Sequence, residues 1–229
     1  MATPPTFVAG YQSAWNSSSS PKTVSVTVAV DDRLVCLGAS ENGLQVLGTP
    51  TGVTGVTWTL AQSIAISDQW CGAYAWTGTA TQAGTFTASV TGTGGGALWW
   101  GYNILRWSGS DGFGASAKAN VTSGAPSLAL STSGANSAVA TLNADWNAAD
   151  GTTRTWRNGE TEQSYFRDGT RYTVYAGRWN DSGAAGAKTL GLSAPGAQKY
   201  SIIGVEVLGA AGGGAPAIPP ILLMPARRA

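Results

Sequence analysis

Val24, Val26, Val28 and Val30 alternate with Ser25, Thr27 and Ala29, a period of two that belongs to a strand with one buried and one wet face. The alternation returns in Phe86, Ala88 and Val90 against Thr85, Thr87 and Ser89, and in Trp70, Gly72, Tyr74 and Trp76 against Cys71, Ala73 and Ala75. Leu34–Leu37 is continuously apolar, as expected of a strand covered on both sides. Leu98–Trp107 is the most aromatic run, and Ser127–Leu130, Ala138–Trp146, Thr152–Arg157, Ser164–Arg167, Tyr172–Trp179, Lys188–Leu192 and Tyr200–Leu208 continue the series. No window carries the i, i+3, i+4, i+7 stripe of a capped amphipathic helix, and the Gly, Ser and Thr between the runs would break a long one. Many short strands with such punctuation predict an all-β fold, an antiparallel β-sandwich of jelly-roll-like character.

A weak internal echo accompanies this pattern. The strand runs of residues 24–107 recur in similar order over residues 127–208, which fits two stacked sandwiches or the two halves of one. No Pro-rich or charged linker divides them, so residues 1–208 are expected to form a single domain, with a wandering loop at Gly109–Gly124. Residues 209–229 differ: a Gly hinge leads into a Pro-rich segment bearing Ile218, Ile221, Leu222, Leu223 and Met224. Prolines favour an extended chain, so the expectation is a C-terminal arm that docks on a neighbouring subunit, with a tail that folds back over its own sandwich or is disordered as the alternative.

Composition narrows the chemistry. Histidine is absent, which removes Ser-His-Asp and Cys-His nucleophile activation and His-bound metals. Charged residues are only 11% of the chain and the net charge is +1, so nothing points to nucleic acid or an anionic membrane. No apolar run reaches the roughly 20 residues of a membrane span, and the N-terminus lacks the pattern of a signal peptide, so synthesis in the cytoplasm is expected. Two cysteines are no disulfide framework; Cys36 and Cys71 are read as buried thiols, with a bridge as the alternative.

The few charges are unevenly placed. Ten of the 25 lie between Asp150 and Asp181, interleaved with aromatic residues. Rings beside charged groups are what a sugar-binding face needs, which makes Trp156, Arg171, Tyr172, Tyr175, Arg178 and Trp179 candidate glycan contacts. The same segment also reads as an exposed rim or subunit interface. Glu160 and Glu162 have a spacing that a glycosidase pair tolerates, but they sit in what reads as a solvated turn, and no catalytic residue is assigned. Asp31-Asp32 and Asp145…Asp150 lack the spacing of a calcium loop, so no metal or other cofactor is expected. Trp70, Trp76, Trp100, Trp107 and Trp146 are expected in the core, whereas Trp99, on the opposite face from Trp100, is a candidate interface anchor.

The succession Thr23–Val28, Asp32–Gly38, Val56–Leu60, Trp70–Trp76, Gly84–Val90 and Tyr102–Gly109 resembles β-sandwich virion proteins of tailed phages of actinobacteria. The resemblance spans about residues 7–208 and rests on strand order and Gly/Thr/Trp texture. It implies a non-enzymatic virion structural protein, a capsid decoration or minor tail protein. Its partners would be major capsid or tail proteins and further copies of itself. Recognition of a host cell-surface glycan is the alternative. Terminal arms at Thr3–Phe7 and Ala215–Met224 would supply the anchors.

Overall fold

The computed structural model describes residues 2–65, 70–94 and 97–211, and among them every regular element is a strand. The first half contributes β1 (Thr6–Gln12), β2 (Lys22–Val28), β3 (Arg33–Ser40), β4 (Val46–Leu47), β5 (Val56–Ile64), β6 (Gly72–Ala80), β7 (Gly84–Val90), β8 (Gly92–Thr93) and β9 (Trp100–Ser108). The second contributes β10 (Ser110–Val121), β11 (Ser127–Thr132), β12 (Ala138–Asp145), β13 (Thr155–Trp156), β14 (Thr161–Asp168), β15 (Tyr172–Trp179), β16 (Gly186–Ala194) and β17 (Tyr200–Gly209). All pairings are antiparallel, and the protein is a β-sandwich structure.

The faint echo in the sequence is a duplication of the main sheets in space. One five-stranded sheet has the order β1-β9-β3-β6-β5 and the other β10-β17-β12-β15-β14, the same order once the strands of each half are renumbered. The smaller sheets correspond too, β2-β7 to β11-β16. The two halves form similar sandwiches, joined covalently through Gly109 at φ +64° and physically through a shared core. The seam repeats as well. On one flank Gln62 Nε2 of β5 donates to Ser116 Oγ of β10 (3.0 Å); on the other, β1 lies against β14, where a Cβ on Gly10 would be 3.0 Å from Gln163 Oε1. A two-fold exchange of the halves requires this reciprocity.

Alternation sorts side chains between layers. In and just before β6, Cys71, Ala73 and Ala75 face the core between the halves, while Tyr74 and Trp76 fill the first sandwich. In β12, Ala138, Ala140, Leu142 and Ala144 face the shared core and Val139 the second sandwich. The alanines let the two large sheets approach, Tyr74, Trp76, Trp100 and Tyr102 fill the first sandwich, and Trp15, Trp107 and Tyr172 pack in the shared core. Trp76, Trp100 and Trp107 are fully buried, each contributing at least about 2 kcal/mol by area. Trp70 and Trp146 are only half-buried.

Other expectations are corrected. The loop expected over Gly109–Gly124 is largely β10, because pairing with β17 along its length outweighs the weak strand preference of its Gly and Ala residues. Thr152–Arg157 is strand only at Thr155–Trp156. The N-terminal arm is not free: Thr3 N and O exchange 2.9 Å hydrogen bonds with Ala210, and Thr6 and Phe7 begin β1. Of the C-terminal arm, Ile218, Ile221, Leu222, Leu223 and Met224 lie outside the described residues. Cys36 and Cys71 are both free and buried in different cores, which resolves the alternative against a bridge.

Candidate interaction surfaces

The charged, aromatic stretch from Asp150 to Asp181 builds clamps rather than an open sugar platform. Tyr172 and Tyr175 are both 0% exposed, so neither ring can stack on a ligand. The cause is their place on β15, a central strand covered on both faces. Tyr172 donates its hydroxyl to the Trp15 carbonyl (2.8 Å) across the halves, and Tyr175 packs on Tyr165 with centroids 5.4 Å apart. Trp156 lies half-buried over Gly177, whose missing side chain makes room for it: a Cβ there would be 2.6 Å from Trp156 Cζ3. Trp156 Nε1 donates to Glu162 (3.2 Å), which is also held by the Arg154 guanidinium; Arg154 in turn covers the Tyr165 ring at 4.0 Å. Arg178 lies over Phe7 at 3.8 Å, and Trp179 is half-buried with Lys188 6.0 Å from its ring. The six glycan candidates therefore point to several places and converge on no cleft.

Glu160 and Glu162 part company in the same way. Glu160 is buried, against the expected solvated turn, and accepts from Thr141 Oγ1 (2.9 Å) and Gly191 N (2.8 Å). Burial raises its pKa to about 7 despite those bonds. Glu162 is also partly desolvated, but the Arg154 and Trp156 donors outweigh that and hold its carboxyl below the usual range. With different partners and opposite shifts, the two carboxylates do not form a facing pair. Asp145 accepts from the backbone N–H groups of Asn147, Ala149 and Lys199, and Asp32 accepts from Ala29 N and Arg106, so both acids serve turns. Among the described residues no three metal-binding side chains converge.

A carboxylate the sequence reading missed is Glu206, fully buried within β17. It accepts from Ala115 N, Ser133 N and Oγ, and Gly134 N, tying β10 and the turn after β11 to the central sheet. Burial acts to raise its pKa, yet these donors lower it overall. Its signal was a lone acid inside the apolar run Tyr200–Leu208.

Trp99, the expected subunit anchor, is half-buried inside the chain. It packs against the core shared by the halves, 6.2 Å from the Phe166 ring and 4.7 Å from the Arg171 guanidinium. As placed, it anchors one half to the other.

With the charges consumed in such pairs, neutral surfaces remain. The outward face of β2-β7 presents Thr23, Ser25 and Thr27 opposite Ser89, Thr87 and Thr85, with Thr27 and Thr85 hydroxyls 2.8 Å apart. The counterpart face of β11-β16 carries Ser127, Ala129 and Ser131 opposite Gly191, Thr189 and Ala187. Neither outward face bears a charge. The outermost strands of the large sheets differ: β14 carries Glu162, Arg167 and Asp168, whereas the nine residues of β5 carry no charge, and Leu60 there is 51% exposed. Edge strands usually carry charges that prevent pairing with other chains.

No protein-family model matches the sequence, and no match was found among curated proteins or solved structures.

Proposed function

We propose that this chain is a non-enzymatic structural protein of a phage virion, made in the host cytoplasm and assembled as a homo-oligomer on the capsid or the tail. The observation that carries this reading is the uncharged stretch Val56–Leu60 at the β5 edge, together with the charge-free outer faces; beyond it Ser116 and Lys118 of β10 reach the Ala61 and Ser63 carbonyls. An uncharged edge offers its backbone N–H and C=O groups to a neighbouring strand, and a neutral hydroxyl face is cheaper to desolvate in a repeated contact than a charged one.

Strand connectivity supports the finer, jelly-roll reading. In each half the first three long strands alternate between the large and the small sheet, β1 to β2 to β3 and β10 to β11 to β12, as in the double-sheet folds used by viral capsid and lectin domains, before β5-β6 and β14-β15 pair within the large sheet. The exit of the chain supports the arm. Ala210 is paired with Thr3, and Ala211 N donates to Asp111, so the last described residues lie beside the start of the N-terminal segment.

The test is incorporation into particles. Truncation after Ala211 should leave the folded body intact but abolish incorporation, and Leu60→Lys, a charge on the open edge, should reduce self-association in sedimentation. Normal incorporation of the truncated protein would reject the arm, and unchanged association of Leu60→Lys would reject the β5 contact.

A further inference from the structure

One groove lies between β5 and β6 of the first half and Phe113 of the second, and its volume is about 440 Å³. Thr57 and Thr79, and Thr59 and Thr77, stand directly opposite each other on its wall, Thr81 continues the row, and Phe113 of β10 closes it from the other half. Only Thr81 spends its hydroxyl inside the protein, on the Gly55 carbonyl (2.8 Å); the other four make no hydrogen bond among the described residues.

The duplication explains why the space is open. β1 corresponds to β10, and the Phe7 ring in β1 is covered by Arg178 of β15, while Gln163 of β14 closes in on Gly10. On the seam-facing side of β6, the counterpart of β15, the positions near Phe113 are Thr77 and Thr79. A three-atom side chain stops short of a ring that an arginine reaches, so the ring face and the hydroxyls are left to a ligand. The charged neighbour Arg33, opposite Thr79 on β3, is engaged with the Asp31 carbonyl.

We propose that this groove is a binding site for a neutral saccharide. Hydroxyls both donate and accept, which matches sugar hydroxyls; one aromatic ring offers a surface for a C–H face; and no lining residue carries a charge to attract an acidic or basic ligand. The volume falls in the lower part of the roughly 300–1,000 Å³ range of small-molecule sites, the scale of a mono- or disaccharide. Because water competes for every open hydroxyl, the expected Kd is about 1 mM. This site is separate from the Trp156–Trp179 stretch but shares Val56, Thr57 and Thr59 with the β5 edge, so sugar binding is read by the titration below and self-association by sedimentation of Leu60→Lys, and either can fail without the other.

The experiment is an NMR titration of the ¹⁵N-labelled chain with D-glucose, D-galactose, D-mannose, L-arabinose, maltose and lactose. At least one should shift the amides of residues 55–59, 77–81 and 113 with saturation in the millimolar range. Thr79→Arg, which puts a long charged chain into the groove, should weaken that binding at least about tenfold while leaving the rest of the spectrum in place; Phe113→Leu, which keeps apolar bulk but loses the ring, should weaken it less. No shift at these residues with any of the sugars up to about 100 mM would overturn the proposal, as would undiminished binding by Thr79→Arg.

Discussion

Arg171 Nη1 lies 2.7 and 2.9 Å from the two carboxylate oxygens of Glu41, joining the turn before β15 to the end of β3 in the other half. Glu41 is 6% exposed and Arg171 39%, so the acid is the partner with more to lose. The same guanidinium caps Trp99.

Arg171→Ala should therefore destabilise the chain by about 1–3 kcal/mol, chiefly because Glu41 is left buried without its counter-charge; the exposed side of the pair by itself is worth little. Urea unfolding followed by tryptophan fluorescence measures this. A change under about 0.5 kcal/mol would show that the clamp is ornamental to the seam.

Glu160 sets a pH dependence. Its folded pKa of about 7 exceeds the unfolded value, so the native state keeps a proton that the unfolded chain has released. The associated stability is fully present below about pH 4.5 and is lost as pH rises through about 7, by on the order of 3 kcal/mol. Glu160→Gln, whose amide can donate to Thr141 Oγ1 while its carbonyl accepts from Gly191 N, should flatten that slope. Stability profiles of the two proteins that fall in parallel from pH 5 to 8 would assign the dependence elsewhere.

Gly177→Ala should disturb Trp156. The added Cβ would come within 2.6 Å of a rigid ring, too close for any side chain to hold, so the indole must swing out and lose its bond to Glu162. The expected cost is about 1–3 kcal/mol with a red-shifted emission. Gly109→Ala is the contrast: it meets no neighbouring atom, and only its positive φ is penalised, at roughly 1 kcal/mol.

Neither thiol should react in the native state. Burial pushes both Cys36 and Cys71 well above the ordinary thiol range, and the thiolate is the reactive form. A chromogenic disulfide reagent is expected to count no thiols in buffer and two in denaturant; prompt labelling in buffer would mean that one of the two cores opens readily.

Much of the fold was legible locally. The alternations in β2, β6 and β7 needed only neighbouring residues to read, because strand side chains switch faces at every step. Ser110–Val121 escaped because its Gly, Ala and Ser carry no such contrast; what makes it a strand is β17, some ninety residues away. The candidate sites were less legible. Tyr172 and Tyr175 look like a recognition face beside Arg171 and Arg178 until the other half covers Tyr172 and Tyr165 and Gly151 cover Tyr175.

By itself, then, the sequence determined that this chain is all-β, free of histidine chemistry and sparing with charge, since those properties reside in periodicity and composition. Only the tertiary structure decided that the echo is a true duplication, that Trp99 faces the other half, that Glu160 is buried, and that Phe113 borders an open groove where Phe7 is covered. Each of these depends on which distant strand pairs or packs against which, and two halves with equivalent topology can differ in a single side chain's reach.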